Sequence, residues 1–114
     1  MNDYLIGKKE MGIFRIYNLK TDKSYFGITK DIIKTRAEQR FMLDLGAHPN
    51  HELQKDYTAT GLELFVIDLV SKCEKEDMLN ALLEETIKAF TAFKEKTENK
   101  TMYWFIKSKI YLYN

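Results

Sequence analysis

The chain is organised around two short segments bounded by glycine, residues 12–17 and 24–27, with a polar connection between them. Side chains alternate between two faces along the first segment, which is the period of two typical of a strand. One face carries Ile13, Arg15 and Tyr17, and the other carries Phe14 and Ile16. The second segment is aromatic and also favours a strand. Because Asn, Thr and Asp stabilise turns through side-chain bonds to the backbone, the connection containing Asn18, Thr21 and Asp22 predicts a β-hairpin.

The composition favours a single globular domain. A chain of 114 residues, 45% of them hydrophobic, suffices for one core but not for two. No apolar run approaches the roughly 20 residues of a membrane span, and the first nine residues lack the pattern of a secretory signal. The single cysteine, Cys73, forms no internal disulfide, so we expect a cytoplasmic location. A net charge of +1 predicts that any DNA contact has a small footprint and depends on salt.

Two helices are predicted after the hairpin. Residues 30–45 favour a helix that Thr29 or Asp31 caps and Gly46 ends. Its expected buried stripe recurs every four residues: Ile33, Ala37, Phe41 and Leu45. Arg36 and Arg40 lie four apart beside that stripe, at its boundary with solvent. Residues 48–57 favour a shorter helix with Pro49 in its first position, and Gly61 closes the segment.

The second half of the chain predicts a strand and the longest helix. The apolar run 64–70 is typical of a central strand covered on both faces. Residues 75–93 favour a helix, and a polar break follows at 95–100. The aromatic residues 101–114 form a tail that is compatible with either strand or helix.

The order of elements is strand, strand, helix, helix, strand, helix and tail. It predicts an α+β domain with a small three-stranded, mostly antiparallel sheet flanked by helices. The whole chain, 1–114, is interpreted as one domain, with a lead-in arm at 1–11. The aromatic tail suits core packing or a homodimer interface, and base stacking is its alternative use.

The hairpin resembles the two triplets of the GIY-YIG nuclease family. Gly12-Ile13-Phe14 and Tyr25-Phe26-Gly27 each carry Phe at one position of the triplet. The family places an arginine on the following helix, where Arg36 lies to within one residue, and a glutamate on the later helix, where Glu84 follows Leu82-Leu83. Residues 45–57 resemble a small bacterial branch of the family that stands alone without a DNA-binding domain. The predicted element order is also that of the family.

The resemblance implies a metal-dependent endonuclease that hydrolyses DNA phosphodiester bonds. Glu84 would bind a single Mg²⁺ or Mn²⁺, Arg36 would hold the phosphate, and Tyr25 would hydrogen-bond the nucleophilic water or the phosphate. It further implies four substrate contacts, from Gly27, Lys34, Arg40 and Asn114. Asn114, which follows Tyr113 at the last position, would also steady the metal-binding region.

Two departures from the family pattern leave other functions open. Phe14 has no hydroxyl where the family's first triplet ends in tyrosine, and Arg40 occupies a place where many members have a histidine. A non-catalytic module that binds nucleic acid or protein is therefore the alternative to an enzyme, and an interaction protein without a nucleic-acid role is a third hypothesis. His48 and His51 form an H-x-x-H pair, but without supporting cysteines the pair predicts a helix start rather than a metal site.

Overall fold

The computed structural model describes residues 9–98 and 112–113, with the side chains of 93–98 excepted. Its three strands are β1 (Gly12–Asn18), β2 (Lys23–Thr29) and β3 (Phe65–Lys72). They form one sheet in the order β2-β1-β3, and β1 is antiparallel to both neighbours. The predicted α+β class and the predicted hairpin are confirmed.

In the described part of the chain, three α-helices accompany the sheet: α1 (Ile32–Leu45), α2 (His51–Thr60) and α3 (Leu79–Glu98). Single 3₁₀ turns at Leu62–Leu64 and Glu76–Met78 precede β3 and α3. Within the described residues, no helix is both long and apolar enough to cross a bilayer.

Short polar residues and glycines set the helix ends. The Asp31 side chain accepts from the Lys34 amide at the start of α1, and the Asn50 side chain accepts from the Leu53 amide at the start of α2. Gly46 ends α1 with a φ of 76°, a left-handed value that glycine adopts without a steric penalty. The predicted cap Asp31 is confirmed. The predicted start of α2 is wrong by about three residues, because Asn50 is its cap and Pro49 precedes the helix.

The two faces of the sheet are covered by different helices. Phe14, Ile16 and Ile67 face α1 and α2 and pack in one buried cluster with Leu43 and Leu53. The opposite face packs on α3. There the rings of Phe26 and Phe90 lie 5.3 Å apart, and the hydroxyls of Ser71 and Thr86 are 3.1 Å apart.

The described end of the tail joins the α1–α2 side of the fold. Leu112 forms a parallel bridge with Ser24, and the Tyr113 amide donates to the Ser24 carbonyl over 2.9 Å. The Tyr113 hydroxyl donates to Asp56 and accepts from Asn18, so this side chain is part of the core. The rest of the tail, 101–111 and Asn114, lies outside the described residues, as do residues 1–8 of the lead-in arm.

The predictions for β3 and for the region after residue 93 are wrong in detail. In the described sheet β3 is an edge strand, and Val66 and Val70 are each 39% exposed. The central strand is β1. Because Arg15 and Tyr17 alternate with apolar residues along β1, its sequence does not show the continuous apolar run that predicts a central strand. The expected polar break at 95–100 is also wrong at its start, since α3 continues through Glu98.

The predicted buried stripe of α1 is wrong, because three of its residues are among the most exposed apolar side chains: Ile33 (68%), Phe41 (63%) and Leu45 (64%). The helix instead buries Ile32 and Leu43, with Thr35 and Gln39 partly buried on the same side. Both polar residues find partners there: Thr35 bonds the Thr29 hydroxyl, and Gln39 bonds the His48 ring. Satisfied polar groups can be buried at small cost, so a pattern of apolar residues alone selects the wrong face.

Candidate active site

Tyr25 projects from the middle of β2 on the α1–α2 side of the sheet. Its ring lies 6.2 Å from the Phe14 ring and 5.3 Å, edge to face, from the His48 ring. Tyr25 is paired across the sheet with Ile16, and Ile16 is paired with Ile67. The side chain is half-buried, so this cluster orients a phenol at the margin of the core.

Phe14 belongs to the core, as a phenylalanine on a strand is expected to. It is 3% exposed, and its ring lies directly against the backbone of Gly27. A Cβ added to Gly27 would come within 2.6 Å of that ring, which explains why glycine ends the second triplet. The two triplets therefore interlock by packing, whatever chemistry they also serve.

Arg36 is fixed on the same side of the sheet. Its Nε donates to the Ile67 carbonyl over 2.9 Å, while the residue as a whole remains exposed. The row Tyr25–Ile16–Ile67 runs across the sheet, so the anchor of Arg36 lies two strands from Tyr25. Lys34 and Arg40 are exposed on α1, so both are accessible to a substrate.

Glu84 projects from α3, which covers the other face of the sheet. Its side chain is exposed and forms no ion pair or hydrogen bond with another residue of the described ranges. The adjacent Glu85 instead lines a cavity of about 250 Å³ together with Lys72 and Lys75. The structure thus brings Tyr25, Phe14 and Arg36 to one side of the sheet, and within residues 9–98 no hydrogen bond or ion pair joins Glu84 to them. Asn114 lies outside the described residues.

The donor chemistry around Glu84 fits a weakly held divalent cation. Within the part of the chain that the structure describes, no group of three or more His, Cys, Asp or Glu side chains is arranged to hold a metal. Mg²⁺ keeps several waters and is usually bound by one or two carboxylates together with substrate phosphates. Glu84 supplies one exposed carboxylate that is not paired with a Lys or Arg in the described residues, which meets that minimum. A cation held in this way would need substrate phosphates to complete its coordination, so metal binding would depend on substrate.

His48 is the residue whose role the sequence did not reveal. It is 5% exposed, its Nδ1 accepts from the Asn50 amide over 3.0 Å, and its Nε2 lies 2.6 Å from the Gln39 side-chain oxygen. Since Nδ1 accepts, we assign the proton to Nε2, which donates to Gln39. Burial is the main cause that lowers the His48 pKa, and its hydrogen bond with Asn50 opposes the shift. Both ring nitrogens of His48 are therefore engaged in hydrogen bonds within the fold.

The same segment fastens α1 to α2. The Gln54 side chain accepts from the His48 amide and donates to the Leu43 carbonyl, each over 3.0 Å. The available sequence signal was Asn50, a residue type favoured at helix N-caps, which marks the helix start just after His48. The contact of His48 with Tyr25 has no counterpart in the local sequence.

A neutral, buried His48 should make stability depend on pH. As the pH falls through the ordinary histidine pKa near 6.5, His48 becomes protonated in the unfolded chain while it stays neutral in the folded protein. This difference in bound protons favours the unfolded state at lower pH. We therefore expect the free energy of unfolding to fall as the pH is lowered from 7 to 5.5, measured by urea denaturation. His48→Gln should remove most of that slope, whereas His51→Gln, at an exposed position, should retain it. An equal slope in all three proteins would contradict the assignment.

The fold and the arrangement of its hairpin define a class of protein. No protein-family model and no curated protein sequence matches the chain. Among solved structures it is similar to the catalytic domain of the homing endonuclease I-TevI, with a TM-score of 0.64 and 25% identity over 69% of this chain and 86% of that one. A mutant of the catalytic domain of the intron endonuclease I-TevI matches with a TM-score of 0.62 and 25% identity over 92% of each chain. The chain thus has the GIY-YIG nuclease fold, and the likeness supports a nuclease-like function.

Proposed function

We propose that this chain is a metal-dependent endonuclease that hydrolyses DNA phosphodiester bonds. The observation that carries the proposal is the likeness to an intron endonuclease catalytic domain over 92% of both chains. The hairpin with both triplets and α1 with its exposed arginines are the parts of this chain that the proposal uses. The fold alone does not establish an activity, so the proposal depends on the side chains described above.

Each proposed role follows from the chemistry of its side chain. Arg36 holds the phosphate: Ile67 occupies its Nε, and the two terminal nitrogens of its planar fork remain to donate to phosphate oxygens. Tyr25 orients the attacking water or a phosphate oxygen through its hydroxyl. Lys34 and Arg40 contribute phosphate contacts on α1, and Gly27 is proposed as a substrate contact through its backbone. Asn114 is proposed as a further substrate contact.

Glu84 is proposed as the protein ligand of one Mg²⁺ or Mn²⁺. When bound, such a cation neutralises phosphate charge and stabilises the leaving oxygen. Because Glu84 and Arg36 come from helices on opposite faces of the sheet, the substrate phosphate would have to lie near the border between them.

The proposal is tested by nicking of supercoiled plasmid at low salt. We expect cleavage with Mg²⁺ or Mn²⁺, none with excess chelator, and recovery when metal is restored. The rate should fall steeply between 50 and 200 mM salt, because phosphate contacts release counterions. Absence of cleavage with either metal, in a protein that circular dichroism shows to be folded, would refute the proposal.

A catalytically degenerate binding module is the second candidate function, and Phe14 is the observation that favours it. The first triplet supplies a buried ring without a hydroxyl, so one group expected to help activate water is missing. This candidate predicts binding of nucleic acid or protein without turnover at any metal concentration. The nicking assay, combined with a binding assay on the same DNA, separates the two functions.

A further inference from the structure

The face of α1 that carries Ile33, Ala37, Phe41 and Leu45 (the α1 stripe) is apolar and turned to solvent. Ile33, Phe41 and Leu45 are 63–68% exposed. An open groove of about 450 Å³ runs along the stripe and is lined by Ile33, Ala37 and Phe41 together with three charged residues. Single exposed apolar residues are ordinary, but a contiguous set marks an interaction surface.

The charged residues in this groove are Arg36, Arg40 and Asp44. Neither arginine forms an ion pair within the ranges that the structure describes. Asp44 already accepts from the Tyr57 hydroxyl, and burial with that bond raises the Tyr57 pKa to about 12, so Tyr57 remains a donor at neutral pH. The groove therefore offers two available cations, while its only carboxylate is engaged from within the fold.

The combination fits one kind of partner. Phosphates satisfy Arg36 and Arg40 but gain nothing from an exposed phenylalanine, whereas unpaired bases present flat apolar faces that stack on aromatic rings. In a continuous duplex those faces are covered by neighbouring bases, so Phe41 could contact only edges and backbone. A second copy of the chain fits less well, because a two-fold interface apposes the same patch on both copies and would bring Arg36 and Arg40 close to their own equivalents.

We infer that the α1 stripe binds a DNA strand with unpaired bases, with Phe41 stacked on a base and with Arg36 and Arg40 on the flanking phosphates. This inference rests on the proposed function for DNA as the substrate, and it makes DNA containing a single-stranded or distorted region the preferred class. Ile33 and Leu45 extend the apolar floor at the two ends of the stripe. Phe41 is thus a substrate-binding residue outside the hairpin and outside α3.

The test is a binding titration that does not require cleavage. Fluorescence anisotropy in chelator would compare a labelled duplex carrying a central unpaired loop with the fully paired duplex of the same flanking sequence. We expect the wild type to prefer the looped DNA, and Phe41→Ala to weaken looped DNA about tenfold while changing the paired duplex by less than about twofold. Phe41→Trp should retain the preference. Met78→Ala is the matched control, since Met78 is an apolar side chain that is 51% exposed and does not line the groove.

The outcomes separate this inference from the proposed function. Plasmid nicking without a Phe41-dependent preference would overturn the inference and leave the function standing. A Phe41-dependent preference without nicking would support the inference and favour the binding module. Sedimentation of the same proteins provides the remaining outcome: a dimer that dissociates on Phe41→Ala would assign the stripe to a second copy and overturn the inference. Because Phe41 is exposed, the variant is expected to unfold at the wild-type temperature.

Discussion

Replacing Glu84 by Gln is expected to lower the rate of metal-dependent nicking by roughly 10²-fold or more. The substitution keeps the size and polarity of the side chain but removes the charge that holds a divalent cation. Since Glu84 is exposed and without a partner in the described structure, folding should be unaffected. The loss should persist at high metal concentration if the cation is no longer positioned, and it should lessen there if only affinity is reduced.

The chain supplies a matched control one residue away. Glu85→Gln removes the same charge from the same helix, but Glu85 faces the cavity next to Lys72 and Lys75. We expect Glu85→Gln to retain activity within about threefold, a small fraction of the 10²-fold loss predicted at Glu84. Thermal unfolding of both variants would exclude a folding defect. Equal activity in the two variants would remove Glu84 from the metal site and leave the cation without an assigned protein ligand.

Gly12→Ala is expected to destabilise the protein by roughly 3 kcal/mol, the upper end of the range for overpacking a dry interior. A Cβ at this position would lie 1.8 Å from the Ser71 carbonyl oxygen and 2.9 Å from its carbonyl carbon. Both are backbone atoms of β3, so relief requires the sheet to move rather than a side chain to rotate. The shift in register between Ile13 and Phe14 lies next to this contact and allows the close approach.

Urea denaturation of Gly12→Ala and Gly46→Ala would test that explanation. Gly46 has a left-handed φ of 76° but no atom near its added Cβ, so its substitution should cost only about 1 kcal/mol through backbone strain. Gly12→Ala should therefore be the more damaging of the two. The reverse order would mean that β1 and β3 separate more easily than their contact suggests.

The two glycines of the hairpin show that its sequence signature is partly architectural. Gly12 admits the backbone of β3, and Gly27 admits the ring of Phe14. Each would be required for the fold even in a protein without activity. A match to both triplets is therefore stronger support for this fold than for catalysis, and Glu84 and Arg36 are the positions where the activity has to be tested.

The sequence by itself determined the features that depend on local chemistry. The hairpin, the order of elements, the cap at Asp31 and the helix end at Gly46 were predicted correctly, because they follow from alternation, turn-forming side chains and the conformational freedom of glycine. The resemblance carried by the triplets predicted the fold that the solved structures share. These signals act over a few residues and are legible without knowing what packs against them.

Tertiary structure decided which surfaces are buried. The sequence predicted Ile33, Phe41 and Leu45 in the core, yet the fold exposes them and turns Gln39 inward beside His48. Gln39 is partly buried there, and its hydrogen bond with His48 makes that position acceptable for a polar residue. The tertiary structure also has β1 in the centre of the sheet, although β3 is the more continuously apolar strand. Burial depends on partners distant in sequence, and a pattern of apolar residues does not specify them.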